Sequence, residues 1–154
     1  MKIILFQPQI PQNAGNIVRT CSVTGTELLL VRPLGFSTAS RHLKRAGLDY
    51  WDGVSVQELD SLEDYLEAAS FPFFFFSSKA TTTYTEAPYT KEAALIFGSE
   101  TAGLPALFHE RWGDRFYRIP MVGDARCLNL ASSAAVVLYE ALRQQEFKFS
   151  VEPV

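Results

Sequence analysis

Cysteine is scarce in this sequence and so is positive charge, and each scarcity removes a class of protein. Of 154 residues only 2 are cysteine, and Cys21 and Cys127 stand in no C-x-x-C pair and in no Cys/His spacing that would hold zinc. Two lone thiols exclude a disulfide framework and fit a reducing compartment, so the expected location is the cytoplasm. Lys and Arg total 14 against 17 Asp and Glu, a net charge of -3. A chain that holds nucleic acid by bulk electrostatics carries the opposite sign, so any such contact here has to be local. The longest apolar run, Phe71 to Phe76, falls far short of the roughly 20 residues that cross a bilayer, so no membrane is expected. The opening Met1 to Phe6 is too short for the apolar region of a secretory signal and runs directly into Gln7-Pro8-Gln9. Only two histidines occur, and His42 and His109 form no H-E-x-x-H pattern; both read as structural or surface residues, and no metal is expected.

What is present is an ordinary globular composition, 47% hydrophobic and 20% charged, with 9 Gly and 8 Pro. No repeat or low-complexity tract divides it, so residues 1–154 are expected to form one domain. A chain of this size buries roughly two-thirds of the surface its unfolded form exposes, enough for a core without metals or disulfides. Apolar runs at 3–6, 28–31, 54–56, 73–76, 94–97 and 116–119 are mostly continuous rather than alternating, as suits strands covered on both faces. Helical stretches near 16–24, 40–47, 60–69, 104–110 and 129–145 lie between and after them. The alternation predicts an α/β domain with a mainly parallel sheet and helices on both faces. Ser61 and Asn129 stand where side-chain N-caps belong, and the tail after Phe147 reads as loosely held.

In open α/β sheets ligands bind outside the carboxyl ends of the strands, which directs attention to three strand-ending segments. The first, Pro8 to Arg19, carries Asn13 and Gly15 as a tight turn into a helix, with Arg19 about one turn inside. Arginine clamps phosphate through its planar, permanently charged fork, though a capped helix start with a surface arginine fits the same spacing. The second, Leu95 to Pro105, ends a buried strand in a loop with Gly98, Gly103 and the single carboxylate of Glu100. It reads either as a close backbone approach to a ligand or as a turn into a helix. The third, Arg118 to Leu130, leaves its strand through Ile119-Pro120-Met121 and reaches Cys127-Leu128-Asn129. A flat ring could lie on such an apolar strand end, held by main-chain groups. None of the three is a dinucleotide fingerprint or a P-loop. Arg41, Lys44 and Arg45 share one helical face and make the best local basic patch, or simply a solvated face.

Taken together and in order, Asn13-Ala14-Gly15-Asn16-Ile17-Val18-Arg19, Phe97-Gly98-Ser99-Glu100-Thr101-Ala102-Gly103-Leu104, and Ile119-Pro120-Met121 with Cys127-Leu128-Asn129-Leu130 resemble the three motifs of the SPOUT methyltransferases. Essentially the whole chain is covered. Within that class, the minimal length, Pro8-Gln9-Ile10-Pro11-Gln12-Asn13, Arg45 to Tyr50 and Tyr139 to Arg143 are similar to the tRNA (cytidine/uridine-34)-2′-O-methyltransferases, the TrmL or YibK-like family. Two departures stand out: Cys127 and Ala131 occupy positions where the family usually has serine, and a thiol is the weaker hydrogen-bond partner.

The resemblance implies a C-terminal trefoil knot, a homodimer, S-adenosylmethionine as methyl donor with S-adenosylhomocysteine as product, and the anticodon stem-loop of tRNA as substrate, leucine tRNAs foremost. It implies donor contacts at Phe76, Gly98, Ile119 and Cys127, with Met121 and Leu128 close by. Arg19 would activate the ribose hydroxyl, Asn13, Glu100 and Asn129 would shape the site, and Tyr139 would serve either the reaction or dimer packing. The patch of Arg41, Lys44 and Arg45 would touch RNA phosphates. A catalytically silent RNA- or nucleotide-binding module on the same scaffold, or a ribose methyltransferase acting on another RNA, stands as the alternative.

Overall fold

A computed structural model of the chain describes residues 1–38, 53–123 and 127–149. Seven strands lie in one sheet: β1 (Lys2–Phe6), β2 (Glu27–Val31), β3 (Val56–Leu59), β4 (Phe73–Phe76), β5 (Thr82–Thr83), β6 (Ala94–Phe97) and β7 (Phe116–Arg118). Their order across the sheet is β3-β2-β1-β6-β4-β7-β5, and every pairing is parallel. The described α-helices are α1 (Pro11–Thr24), α2 (Leu62–Glu67), α3 (Ala106–Trp112) and α4 (Leu130–Gln144). The expected architecture is therefore the observed one.

A parallel sheet needs cover on both faces, and the strands divide their side chains accordingly. Ile3, Leu5, Leu28, Leu30, Phe74, Phe76, Leu95 and Phe97 point into one core, which α1 closes with Ile17, Val18 and Cys21 and α4 with Val137, Leu138 and Ala141. Ile4, Leu29, Phe73, Phe75 and Ile96 point into the other, closed by Leu62 and Leu66 of α2 and Phe108 of α3. Phe75 stacks on Phe116 at 4.6 Å between centroids and Phe76 on Phe97 at 5.0 Å. The four consecutive phenylalanines of β4 thus serve two cores at once, which no exposed strand would allow.

Two boundaries differ by more than two residues from the sequence-based reading, and one strand is additional. β3 runs over 56–59 rather than 54–56, because it is the sheet's edge, paired only with β2, and tolerates the exposed Gln57 and Glu58 that seemed to end it. α1 starts at Pro11 rather than near residue 16: proline at the first helical position lacks only an N–H that would go unpaired anyway. Asn13 and Gly15 therefore lie inside the helix, which ends at Gly25 in the left-handed region, φ 65°. The two-residue β5 was not foreseen. Both predicted caps are present: Ser61 Oγ accepts from the Asp64 N–H, and Asn129 Oδ1 accepts from Ala131 and Ser132. The predicted helix at 40–47, with Arg41, Lys44 and Arg45, lies outside the described residues, as does the tail beyond 149.

Candidate active site

A cavity of about 470 Å³ opens at the carboxyl ends of β4, β6 and β7, where this class of sheet binds its ligands. Phe76, Gly98, Ile119, Met121, Cys127 and Leu128 all line it. Its floor is shaped by a backbone approach that only glycine permits. A Cβ built on Gly98 would sit 2.3 Å from the Gly103 carbonyl carbon, far inside contact distance. That closeness comes from a short bridge in which Ser99 and Gly103 exchange N–H···O bonds of 3.2 and 3.0 Å. Gly103 makes the return with φ 67°, a region side chains disfavour. Cys127 Sγ lies 3.5 Å from Ser78 Oγ, joining the segment after β7 to the one after β4.

The other wall is held by a chain of amides and one carboxylate. Glu100 accepts from the Gln9 N–H at 2.8 Å and the Ile10 N–H at 3.1 Å. It also accepts from Asn13 Nδ2 at 3.0 Å. Asn129 Nδ2 in turn donates to Asn13 Oδ1 at 3.0 Å, while its own Oδ1 caps α4. The N-cap residue of α1, Ile10, has no side chain able to cap, so Glu100 does this from the neighbouring loop, placing negative charge at the positive end of the helix. Three separated motifs thereby fix one another, and the carboxylate of Glu100 is spent on structure.

Arg19 and Tyr139 are placed differently. Six residues after Asn13, Arg19 is turned about 240° around the axis of α1 and lies in an exposed row with Gln12, Asn16 and Val23. Tyr139, 46% exposed, lies in the matching row of α4 with Ser132, Val136 and Arg143. Neither side chain lines the cavity. α1 and α4 pack against each other, so the two rows flank one helical face that carries Val23, Val136 and Tyr139.

Sequence reasoning passed over the segment after β4. Ser77, Ser78 and Lys79 line the cavity, as does His109 of α3. The available signal was position: a polar Ser-Ser-Lys following a buried strand. His109 stacks on Phe116 at 3.7 Å; burial, and then the charge of Lys79, lower its pKa. Cys21, by contrast, is enclosed in the core, where burial pushes its thiol up to about 12. A broader depression of about 630 Å³, lined by Phe71, Phe73, Trp112, Arg111 and Arg115, lies at the amino ends of β4 and β7. There Arg111 is engaged by Glu63 and Glu67, and Arg115 covers the Phe73 ring at 4.1 Å.

A glycine-floored cavity beyond the carboxyl edge of a parallel sheet is the ligand-site geometry of an open α/β domain. The sequence model of the SpoU rRNA Methylase family matches residues 1–139, and the chain belongs to that family. A relative from Methylovorus glucosotrophus named tRNA (cytidine(34)-2′-O)-methyltransferase is 42% identical over 151 residues, covering 97% of this chain and 98% of its own. A structure solved to explain 2-OH methylation of C/U34 on tRNA superposes with a TM-score of 0.89 at 43% identity, covering 96% of this chain and 97% of that one. An AdoMet-bound rRNA methyltransferase from Sinorhizobium meliloti gives 0.82 at 26% identity, over 93% of this chain and 56% of that one. Among the described residues no helix is long and apolar enough to cross a membrane.

Proposed function

We propose that this protein transfers the methyl group of S-adenosylmethionine to the ribose 2′-oxygen of the wobble nucleotide, C34 or U34, of tRNA, with leucine tRNAs as the expected substrates. The observation that carries the reading is the meeting of all three strand-ending motifs around one cavity, in a chain that matches C34 methyltransferases along nearly its full length. The cavity fits the donor: its volume lies in the range of small-molecule sites, half-buried Gly98 lines its floor, and Phe76, Ile119 and Leu128 offer apolar walls to a purine. Main-chain contact would make the thiol of Cys127 an adequate replacement for serine.

Bound there, the sulfonium donor supplies an already activated methyl group. The protein has to align a 2′-oxygen and hold its proton. Alignment can remove about 7 to 11 kcal/mol of a barrier, while general-base help typically gives about 100- to 10,000-fold. A rigid wall is therefore worth more than a strong base, which is what the Glu100-Asn13-Asn129 chain provides. Arg19 is a poor base on its own, since its guanidinium stays protonated; it holds an RNA phosphate that accepts the proton.

Since Arg19 and Tyr139 lie on the exposed helical face rather than in the cavity, the same reading includes a homodimer built on α1 and α4, in which that face meets a second copy. A C-terminal trefoil knot, RNA phosphates on Arg41, Lys44 and Arg45, and a cytoplasmic location complete it. Single-turnover transfer into tRNA tests the core of the proposal. Arg19→Ala should abolish methylation and leave S-adenosylhomocysteine binding within about twofold. Donor binding by the wild type with no transfer into any tRNA would instead favour a silent binding module.

A further inference from the structure

The donor carries an α-carboxylate, and a cation within hydrogen-bond reach of it adds a charge-assisted bond. Among the described residues lining the cavity, the charged side chains are Glu100 and Lys79. Glu100 has the wrong sign and already accepts three hydrogen bonds. The first N–H groups of α4 are capped by Asn129, and burial and the charge of Lys79 both disfavour the protonated form of His109. Lys79 forms no ion pair with any described residue. It is exposed, with its backbone N–H fixed on Ser77 Oγ. The strand order puts β6 between β4 and β1, so the Lys79 segment stands two strand spacings, about 10 Å, from the end of β1 and the start of α1. That separation sets the Lys79 backbone across the cavity from the Asn13 wall, where the ribose would be presented.

We infer that Lys79 anchors the α-carboxylate of the methyl donor, making it the residue that distinguishes a nucleoside with an amino-acid tail from one without. This rests on the donor site proposed above and goes beyond it by dividing the cavity into a purine part and a charge-reading part. The tail, held by Lys79 beside Ser77 and His109, would orient the sulfur so that its methyl faces the Asn13 wall. Lys79 is thus a positioning residue.

Calorimetric titration with two probes tests the inference: S-adenosylhomocysteine, and 5′-methylthioadenosine, which keeps the nucleoside and thioether and lacks the tail. In Lys79→Met the affinity for S-adenosylhomocysteine should fall roughly tenfold, between the worth of an exposed ion pair and that of a charge-assisted hydrogen bond. Affinity for methylthioadenosine should stay within twofold, and Lys79→Arg should restore most of the loss. Equal weakening of both probes, or of neither, overturns the assignment. Unchanged S-adenosylhomocysteine binding with a raised KM for tRNA also overturns it and hands Lys79 to an RNA phosphate. If the wild type binds neither probe, the donor site itself is wrong, a failure visible before any variant is made.

Discussion

Glu100→Ala would strip α1 of a cap supplied from 90 residues away. Two backbone N–H groups, at 2.8 and 3.1 Å, and the Asn13 amide at 3.0 Å lose their acceptor together. Loss of a helix cap costs about 0.5 to 2 kcal/mol, and a hydrogen bond to a charged group contributes about 1.5 to 3. The Gln9 and Ile10 amides are exposed and can turn to water, so the combined loss should be about 2 kcal/mol rather than the sum. For a domain of this size that lowers Tm by about 4 to 8 °C in scanning calorimetry. Asn13→Ala removes one of the same bonds, so the double variant should be less destabilised than the two singles added, by about 1 kcal/mol. S-adenosylhomocysteine affinity should fall with Tm, because the wall of the cavity loosens. A Glu100→Ala Tm within about 1 °C of wild type, or strict additivity with Asn13→Ala, would refute the claim that this carboxylate is a cap.

Gly98→Ala forces a methyl group against the Gly103 backbone at 2.3 Å, so the variant should lose donor binding more than about tenfold even if it folds; normal titration would show the loop to be pliable. Cys127 is exposed and Cys21 buried, with the Cys21 thiol pushed up to about 12. Iodoacetamide at pH 8 should therefore label one thiol in the native protein and two in guanidinium, by mass spectrometry. His109 has its pKa lowered in the folded state, so folding disfavours its protonated form. Its contribution should be complete above the unfolded value of about 6.5 and decline as pH falls toward the folded one. An NMR titration of its ring should give a midpoint below about 6.5; a midpoint above would reverse the sign.

Continuous runs such as Phe73–Phe76 and Ala94–Phe97 could be read as strands because nothing but double-sided burial explains them. Ser61 and Asn129 were readable as caps because their partners lie two or three residues away. The start of α1 misled because Pro11, Gln12 and Asn13 are turn residues by composition, and only the tertiary partner Glu100 makes Asn13 a helical one. Local pattern could not assign Glu100 its partners, since two of them are backbone groups with no sequence signature. Lys79 and His109 carry no motif, and their proximity comes from α3 packing beside the end of β4. Arg19 read as a candidate phosphate clamp from its residue type, whereas its place outside the cavity was not legible, because that depends on where the helix begins.

The hydrogen bonds that tie residue 13 to residue 100 and residue 129 to residue 13 span 87 and 116 positions. Contacts so distant in sequence close late and together. During synthesis, the chain would possess nearly all of its sheet and still bind no donor until the final helix had cleared the ribosome. A product truncated before α4 would keep the seven strands and lack Asn129, Leu130 and Ser133 from the cavity wall, so donor binding becomes a readout of whether that helix is in place.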